Sequence, residues 1–140
     1  MKEKILGLLG LMRRAGALSL GEDNSLETIR AGKGKLLLVA SDRSDNARRR
    51  ADNASAGRNV EPVLLPFSRE ELGGAVGLNA CSMAVVTDLG FADALAKLLA
   101  EEDSDAYGEL AQRVRERKEK AARRKAQKGR KRVGTRRTNV

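Results

Sequence analysis

The stretch from Leu20 to Ala40 combines residue types that suit a phosphate-bearing ligand. It contains a glycine turn at Gly21, a segment of about nine residues with the pattern of a helix, and a second glycine turn that carries Lys33 and Lys35. The first turn of a helix has backbone N–H groups without intrahelical partners, and such groups attract anions. Together with the lysines, they predict a site for phosphate groups within this one segment.

The same segment also has a purely structural interpretation. Asp23, Asn24 and Ser25 are common helix-capping residues, and lysines in a glycine turn are often only solvated. The triplet of arginines at 48–50 is likewise typical of a solvated helix face. Both interpretations stay open for each single residue, and we favour a functional role for the turn as a whole.

The chain lacks the residue patterns that catalysis or metal binding would need. It contains no histidine, which removes the commonest acid–base group near neutral pH. Cys81 is the single cysteine, so no internal disulfide can form, and packing is its more ordinary role. The sequence has no nucleotide-binding glycine loop, cysteine cluster or convincing carboxylate pair. We therefore predict a protein that is not an enzyme and uses no cofactor or metal ion.

Positive charge is concentrated toward the end of the chain. Residues 1–100 contain 14 Lys+Arg and 12 Asp+Glu, whereas residues 101–140 contain 14 and 7. We divide the chain into a domain at 1–100, an acidic joint at 101–112, which has no Lys or Arg, and a basic tail at 113–140. A concentrated positive segment attracts polyanions and releases their counterions, so nucleic acid is the leading class of partner.

Apolar residues predict alternating helices and strands around an aliphatic core. Strands at 17–20, 35–40, 60–65 and 82–87 alternate with helices that begin near residues 2, 21, 41, 68 and 91. This alternation favours an α/β fold, a three-layer α/β/α sandwich with a mixed four-strand sheet. Aromatic residues make up only 2% of the chain, so few aromatic side chains are available to stack on bases.

The basic tail is predicted to be helical or disordered. Residues 109–127 favour a solvated, frayed helix in which only Leu110 and Val114 could pack on other residues. Gly129 and Gly134 are expected to break the pattern, and disorder is expected beyond them. No stretch approaches the ~20 apolar residues of a membrane span. We therefore expect a cytoplasmic, monomeric protein without membrane association.

Three separated blocks of the chain resemble a known family. They are GEDNSLETIRAGKGKLLLVASD, PFSREELGGAVG and ACSMAVVTD, in this order, and the opening LGLMRRAGAL fits the same pattern. They resemble the bacterial YlxQ-like branch of the archaeal ribosomal protein L-seven-Ae family over residues 2–100. The resemblance implies the sandwich fold and binding of kink-turn RNA, a duplex with a sharp bend.

The resemblance also implies which residues contact RNA. In the family, the second helix starts with Gly-x-Asn-Glu and carries a Lys three residues later, and these residues enter the widened major groove of the kink. The corresponding residues are Gly21, Asp23, Asn24 and Glu27, of which only the glycine matches. Because Glu27 places a negative charge near phosphates, we expect nearby cations to offset it, namely Arg30, Lys33 and Lys35.

A second contact is implied in the loop after the fourth helix. In the family this loop covers a nucleotide that is flipped out of the RNA bulge. Here it consists of Leu78, Asn79, Ala80 and Cys81.

These observations predict a non-catalytic, ribosome-associated RNA-binding protein that recognises kinked RNA. Its partners would be structured RNA, such as ribosomal RNA or another kink-turn RNA, and ribosomal proteins. The basic tail would add non-specific affinity for phosphates. The alternative is a protein-interaction or assembly adaptor of the translation machinery whose RNA affinity comes only from the tail.

Overall fold

The computed structural model describes the backbone of residues 1–138 and the side chains of residues 1–128. Helices and strands alternate along this part of the chain, as predicted. In order they are α1 (Lys2–Arg14), β1 (Leu18–Leu20), α2 (Glu22–Arg30), β2 (Leu36–Val39), α3 (Asp45–Ser55), β3 (Glu61–Leu64), α4 (Arg69–Val76), β4 (Met83–Val86), α5 (Leu89–Glu102) and α6 (Ser104–Thr138).

The four strands form one mixed sheet with the order β1-β4-β2-β3. Strand β4 is antiparallel to both of its neighbours, β1 and β2, whereas β2 and β3 run parallel. Pro62 lies in the edge strand β3, which suits a residue that has no N–H group to donate to a neighbouring strand. The predicted mixed four-strand sheet is therefore confirmed.

Helices cover both faces of this sheet. Successive side chains of a strand point to opposite faces, so Leu36 and Leu38 pack on one side of β2, while Leu37 and Val39 pack on the other. The first side is covered by α1, α4, α5 and α6, and the second by α2 and α3. The predicted α/β/α sandwich is thus confirmed, and its core is almost entirely aliphatic.

Strand β4 also defines two opposite ends of the sheet. At its beginning, the N–H of Gly21 donates to the Met83 carbonyl at 3.0 Å. At its end, the N–H of Lys35 donates to the Val86 carbonyl at 2.7 Å. A strand of this length spans about 10 Å. Helix α2 connects the two ends, since it begins after Gly21 and ends before Lys35.

Helix α6 differs most from the sequence-based expectation. It begins directly after α5 at the one-residue turn of Asp103, whose carboxylate accepts a hydrogen bond from the Ala106 N–H at 3.1 Å. It then continues through Gly129 and Gly134, where a break was predicted, to Thr138. A glycine costs a helix only about 1 kcal/mol relative to alanine, and the neighbouring Lys and Arg residues are good helix formers. The predicted helical tail is therefore present without the break expected at the two glycines, and residues 139–140 lie outside the described backbone.

The first part of α6 packs on the sandwich. Leu110 and Val114 are buried at 6% and 0% exposure, as predicted from their isolated apolar character. The Tyr107 hydroxyl donates to the Leu64 carbonyl at 2.6 Å, and burial, followed by the charge of Asp103, raises the pKa of this hydroxyl. The division of the chain at residues 100 and 112 stays a prediction. In the part of the chain that the structure describes, no helix is both long and apolar enough to cross a membrane.

Candidate nucleic-acid interface

Gly21 forms the turn that starts α2. Its backbone has φ 87° and ψ 164°, a conformation that residues other than glycine rarely adopt. Its carbonyl accepts the Ser25 N–H at 3.0 Å, so the N–H groups of Glu22, Asp23 and Asn24 come before the first helical hydrogen bond. The helix therefore begins at Glu22 with a row of free donors at its exposed end.

Asp23, Asn24 and Ser25 do not cap α2, contrary to the structural interpretation of the sequence. All three lie inside the first turn of the helix. The Asn24 amide donates to the Leu20 carbonyl at 3.0 Å, and Ser25 is fully buried. Asp23, Asn24 and Glu27 are exposed. The exposed side chains of α2 are thus available to a ligand.

The loop from Leu78 to Ala80 is held in place by glycines. The Leu78 N–H donates to the Gly73 carbonyl at 2.8 Å, and Gly77 adopts a left-handed conformation with φ 81°. A Cβ atom on Gly73 would lie 2.8 Å from the Ala80 Cα, so only glycine allows this close approach. All three loop residues are exposed, and Leu78 is 40% exposed. The loop is therefore a fixed and accessible surface.

One hydrogen bond brings this loop and the start of α2 to the same end of the sheet. The Gly21 N–H binds the carbonyl of Met83, which follows the loop after Cys81 and Ser82. We call this surface the glycine tip, and it consists of Gly21, Asp23, Asn24, Glu27 and Leu78–Ala80. The structure thus places together most of the residues that the sequence analysis selected from two separate segments.

Lys33 and Lys35 do not belong to the glycine tip, although the sequence analysis placed them beside it. They follow the other end of α2, and nine residues of helix extend about 13 Å. Arg30 also lies at that end, where it lines a cleft of about 260 Å³ with Arg50 and Arg58. These cations therefore lie at the far end of α2 from Gly21, although Arg30 is only three residues from Glu27 and neighbours it on the helix. That they offset the charge of Glu27 stays a prediction.

Cys81 is also not part of the exposed loop. It is 3% exposed, and its thiol donates to the Met83 carbonyl at 3.3 Å. Its N–H donates to the Arg69 carbonyl at 2.9 Å. This thiol faces the core between the sheet and α4, because the chain turns inward there to begin β4. Cys81 is thus a packing residue, which was the alternative that the sequence favoured.

Two cations close to the glycine tip are paired with carboxylates, whereas the Arg13 guanidinium donates to the Val76 carbonyl at 2.7 Å beside the loop. Arg50 of α3 binds Glu22 at 2.5 Å, and this hydrogen bond raises the pKa of Arg50. Arg69, which the sequence analysis treated only as part of a helix start, lies beside the loop and pairs with Asp42 at 3.6 Å. The position of Arg69 beside the loop follows from the contact between the start of α4 and the loop, and no local pattern in the sequence indicates it.

Comparison with known proteins identifies the sandwich. Residues 3–96 match the model of the "Ribosomal protein L7Ae/L30e/S12e/Gadd45 family". A Bacillus subtilis protein named "RNA-binding protein YlxQ" is 37% identical over 92 residues, which cover 66% of this chain and 91% of the relative. The Enterococcus faecium protein of the same name is 33% identical over 98 residues, covering 70% and 93%. A Dictyostelium discoideum protein named "Large ribosomal subunit protein eL30" is 32% identical over 98 residues, covering 69% and 88%.

Solved structures show the same fold. A Bacillus halodurans protein of unknown function superposes with a TM-score of 0.64 at 28% identity, covering 68% of this chain and 95% of that one. A Giardia lamblia 15.5-kDa RNA-binding protein superposes with a TM-score of 0.54 at 23% identity, covering 72% and 82%, and shows the fold alone. By the family match and the identities to its relatives, the chain belongs to the L7Ae/L30e/S12e/Gadd45 ribosomal protein family, as a YlxQ-like member.

Proposed function

We propose that this chain is a non-catalytic, cytoplasmic RNA-binding protein with a role at or near the ribosome, and that the glycine tip recognises kinked duplex RNA. The names of its relatives, an RNA-binding protein and a large-subunit ribosomal protein, support the choice of ligand and setting. The absence of any pattern for catalysis in the sequence agrees with a binding role.

One observation carries the proposal. The Gly21 N–H donates to the Met83 carbonyl, so the start of α2 and the exposed segment Leu78–Ala80 both adjoin the beginning of β4. These are the two segments that the family resemblance relates to RNA. A surface that combines a helix start with a fixed loop can contact a bent duplex on both sides of the bend, whereas a straight duplex would reach only one of them.

The side chains of the glycine tip suit base edges better than phosphates. An ionised Asp23 can only accept hydrogen bonds, as from the amino groups of guanine, whereas Asn24 can donate and accept. Leu78 offers an apolar surface to a base that leaves the stack. The N–H groups at the start of α2 are the donors that suit a phosphate. The basic helix α6 would add phosphate affinity without selecting a sequence.

Affinity for a bent and a straight duplex tests this proposal. The full chain is titrated against a labelled kink-turn duplex and a straight duplex of equal length and base composition, at several salt concentrations. We expect a preference of about tenfold or more for the bent duplex, equal to about 1.4 kcal/mol. A chain without any preference would contradict the proposal and favour an adaptor whose RNA affinity comes only from the basic helix.

The variant Gly21→Ala and its control Gly7→Ala refine this test. Both positions have free space around a new Cβ, but only Gly21 has a positive φ. Alanine there would strain the turn by about 1–3 kcal/mol, so the start of α2 should shift and the preference should fall. The control Gly7→Ala should retain the preference for the bent duplex. Equal behaviour of the two variants would contradict a role of the glycine tip.

A further inference from the structure

A groove lined by cations lies at the end of the sheet opposite to the glycine tip. It has a volume of about 290 Å³ and is formed by the start of β2, the loop before β3, the start of α5 and the middle of α6. We call it the basic groove. Its polar lining consists of Lys35, Asn59, Arg117, Lys120 and Arg124.

Ion pairs and hydrogen bonds hold α6 in position beside the groove. Arg113 binds Glu61 of β3 at 2.5 Å, which raises the pKa of the guanidinium. Arg115 and Lys118 bind Asp93 of α5 at 3.1 and 3.4 Å. The Asp93 side chain is only 8% exposed, so this anchor is shielded from solvent. The cations in the first part of α6 therefore attach the helix to the domain.

Arg117 anchors α6 at the groove itself. Its guanidinium donates to the Lys35 carbonyl at 3.2 Å and to the Asn59 carbonyl at 2.8 Å. These carbonyls belong to the two loops that border the groove, so one side chain fixes the positions of three segments. The groove is thus a built feature of the fold, although Lys35 and Arg117 are 82 residues apart in the chain.

The charges in the groove are not neutralised by the protein. Lys120 and Arg124 follow Arg117 at helical spacings of three and seven residues, which places them on one face. Within the described part of the chain, Lys35, Lys120 and Arg124 form no ion pair. Among the described side chains, no carboxylate lines the groove. Uncompensated cations of this density attract a polyanion.

The lining favours the sugar-phosphate backbone of RNA over its bases. Lysine, arginine and asparagine side chains supply hydrogen-bond donors that suit phosphate oxygens. No aromatic side chain is among the described residues that line the groove, so it lacks the rings on which bases usually stack. The groove also lies outside the family match in part, because that match ends at residue 96 and α6 begins at Ser104.

We propose that the basic groove is a second RNA site, which holds the backbone of a segment beyond the one at the glycine tip. This inference rests on the proposed function only in taking RNA as the ligand. The backbone of helix α6 continues from Arg124 to Thr138, about 21 Å at 1.5 Å per residue. The protein would then contact one RNA at both ends of its sheet.

Matched pairs of variants distinguish RNA binding in the groove from a general effect of reduced positive charge. Lys120→Gln with Arg124→Gln removes two charges from the groove, and Arg123→Gln with Lys125→Gln removes two exposed charges from the same helix outside it. A second pair is Lys35→Gln in the groove and Lys33→Gln outside it. Glutamine is a good helix former, so α6 should persist in each helix variant, as circular dichroism would verify.

We expect the double groove variant to bind structured RNA about tenfold more weakly at physiological salt, and the double control to lose about threefold or less. The loss of RNA affinity in Lys35→Gln should likewise be larger than the loss in Lys33→Gln. Equal losses of affinity within both pairs would overturn the proposal that the groove binds RNA, because the number of charges alone would then determine affinity. The preference for the bent over the straight duplex is a separate readout. Its absence would contradict the proposed role of the glycine tip, whereas the paired variants alone test RNA binding by the groove.

Discussion

The two ends of the sheet have opposite designs. At the glycine tip, glycine turns and a short loop set the shape, and the exposed side chains of α2 include Asp23 and Glu27. Two cations close to the tip, Arg50 and Arg69, are paired with carboxylates. At the basic groove, the shape is set by a docked helix, and Lys35, Lys120 and Arg124 are unpaired within the described chain. The comparison suggests a division in which one end selects RNA shape and the other supplies affinity for phosphate.

The largest effect is expected from detaching α6. Leu110→Ala combined with Val114→Ala removes the two buried apolar side chains of the helix, and the leucine alone should cost about 2–5 kcal/mol of packing free energy. RNA affinity should fall more than tenfold, while the preference for the bent duplex should remain. Anisotropy titrations with both duplexes measure this.

Thermal unfolding and far-UV circular dichroism serve as controls for this double variant. A cooperative transition of the remaining sandwich would verify that the domain stays folded. Loss of the preference together with the affinity, in a folded protein, would show that the two ends are not independent.

The next effect concerns the loop of the glycine tip. Gly73→Ala would bring a Cβ within 2.8 Å of the Ala80 backbone, and overpacking of this kind costs about 1–3 kcal/mol. The loop should shift, and the preference for the bent duplex should fall. Gly74→Ala is the matched control in the same helix, because it meets no atom within 4 Å and should stabilise the helix by up to about 1 kcal/mol.

Chemical denaturation and duplex titrations measure both glycine variants. An unchanged preference in Gly73→Ala, at reduced stability, would remove the loop from the proposed interface. Salt dependence of RNA binding should be the same in both variants, because neither substitution changes a charge.

A smaller effect is expected at Glu27. Glu27→Lys replaces an exposed negative charge with the positive charge that the family resemblance implies at this position. It should tighten binding to the bent duplex by about tenfold, or 1.4 kcal/mol. Glu27→Gln should give a smaller gain, since it only removes repulsion. Gel-shift titrations decide this, and unchanged affinity in both variants would mean that this face of α2 does not meet RNA.

The smallest effect is the pH dependence of α6 docking. Burial raises the pKa of the Tyr107 hydroxyl in the folded state above its ordinary value near 10. The hydroxyl is an acid that folding keeps neutral, so its contribution to stability is complete below the unfolded pKa and is lost as pH rises through the folded pKa. Tyr107→Phe should abolish this component of the pH profile, which appears as pH rises above about 10. Identical profiles of both proteins in denaturant titrations would contradict it.

Local features of the fold were predictable because they depend on neighbouring residues. The helix predicted to begin near residue 68 is present, and a capping box starts it: Ser68 accepts the Glu71 N–H and the Glu71 carboxylate accepts the Ser68 N–H, each at 3.1 Å. The glycine turn at Gly21 and the buried strand β2 also agree with the sequence. The docking of α6 could not be predicted, because its anchors at Glu61 and Asp93 are far from it in the sequence.

By itself, the sequence determined the alternation of helices and strands, the aliphatic core, the excess of positive charge and the glycine turn that starts α2, because each depends on residue type and short-range spacing. The tertiary structure alone decided that Gly21 meets the loop after α4, that Cys81 faces the core, and that Lys35 joins Arg117 and Arg124 instead of the glycine tip. Strand pairing and helix docking decide these neighbours, and both bring together residues that no local pattern connects.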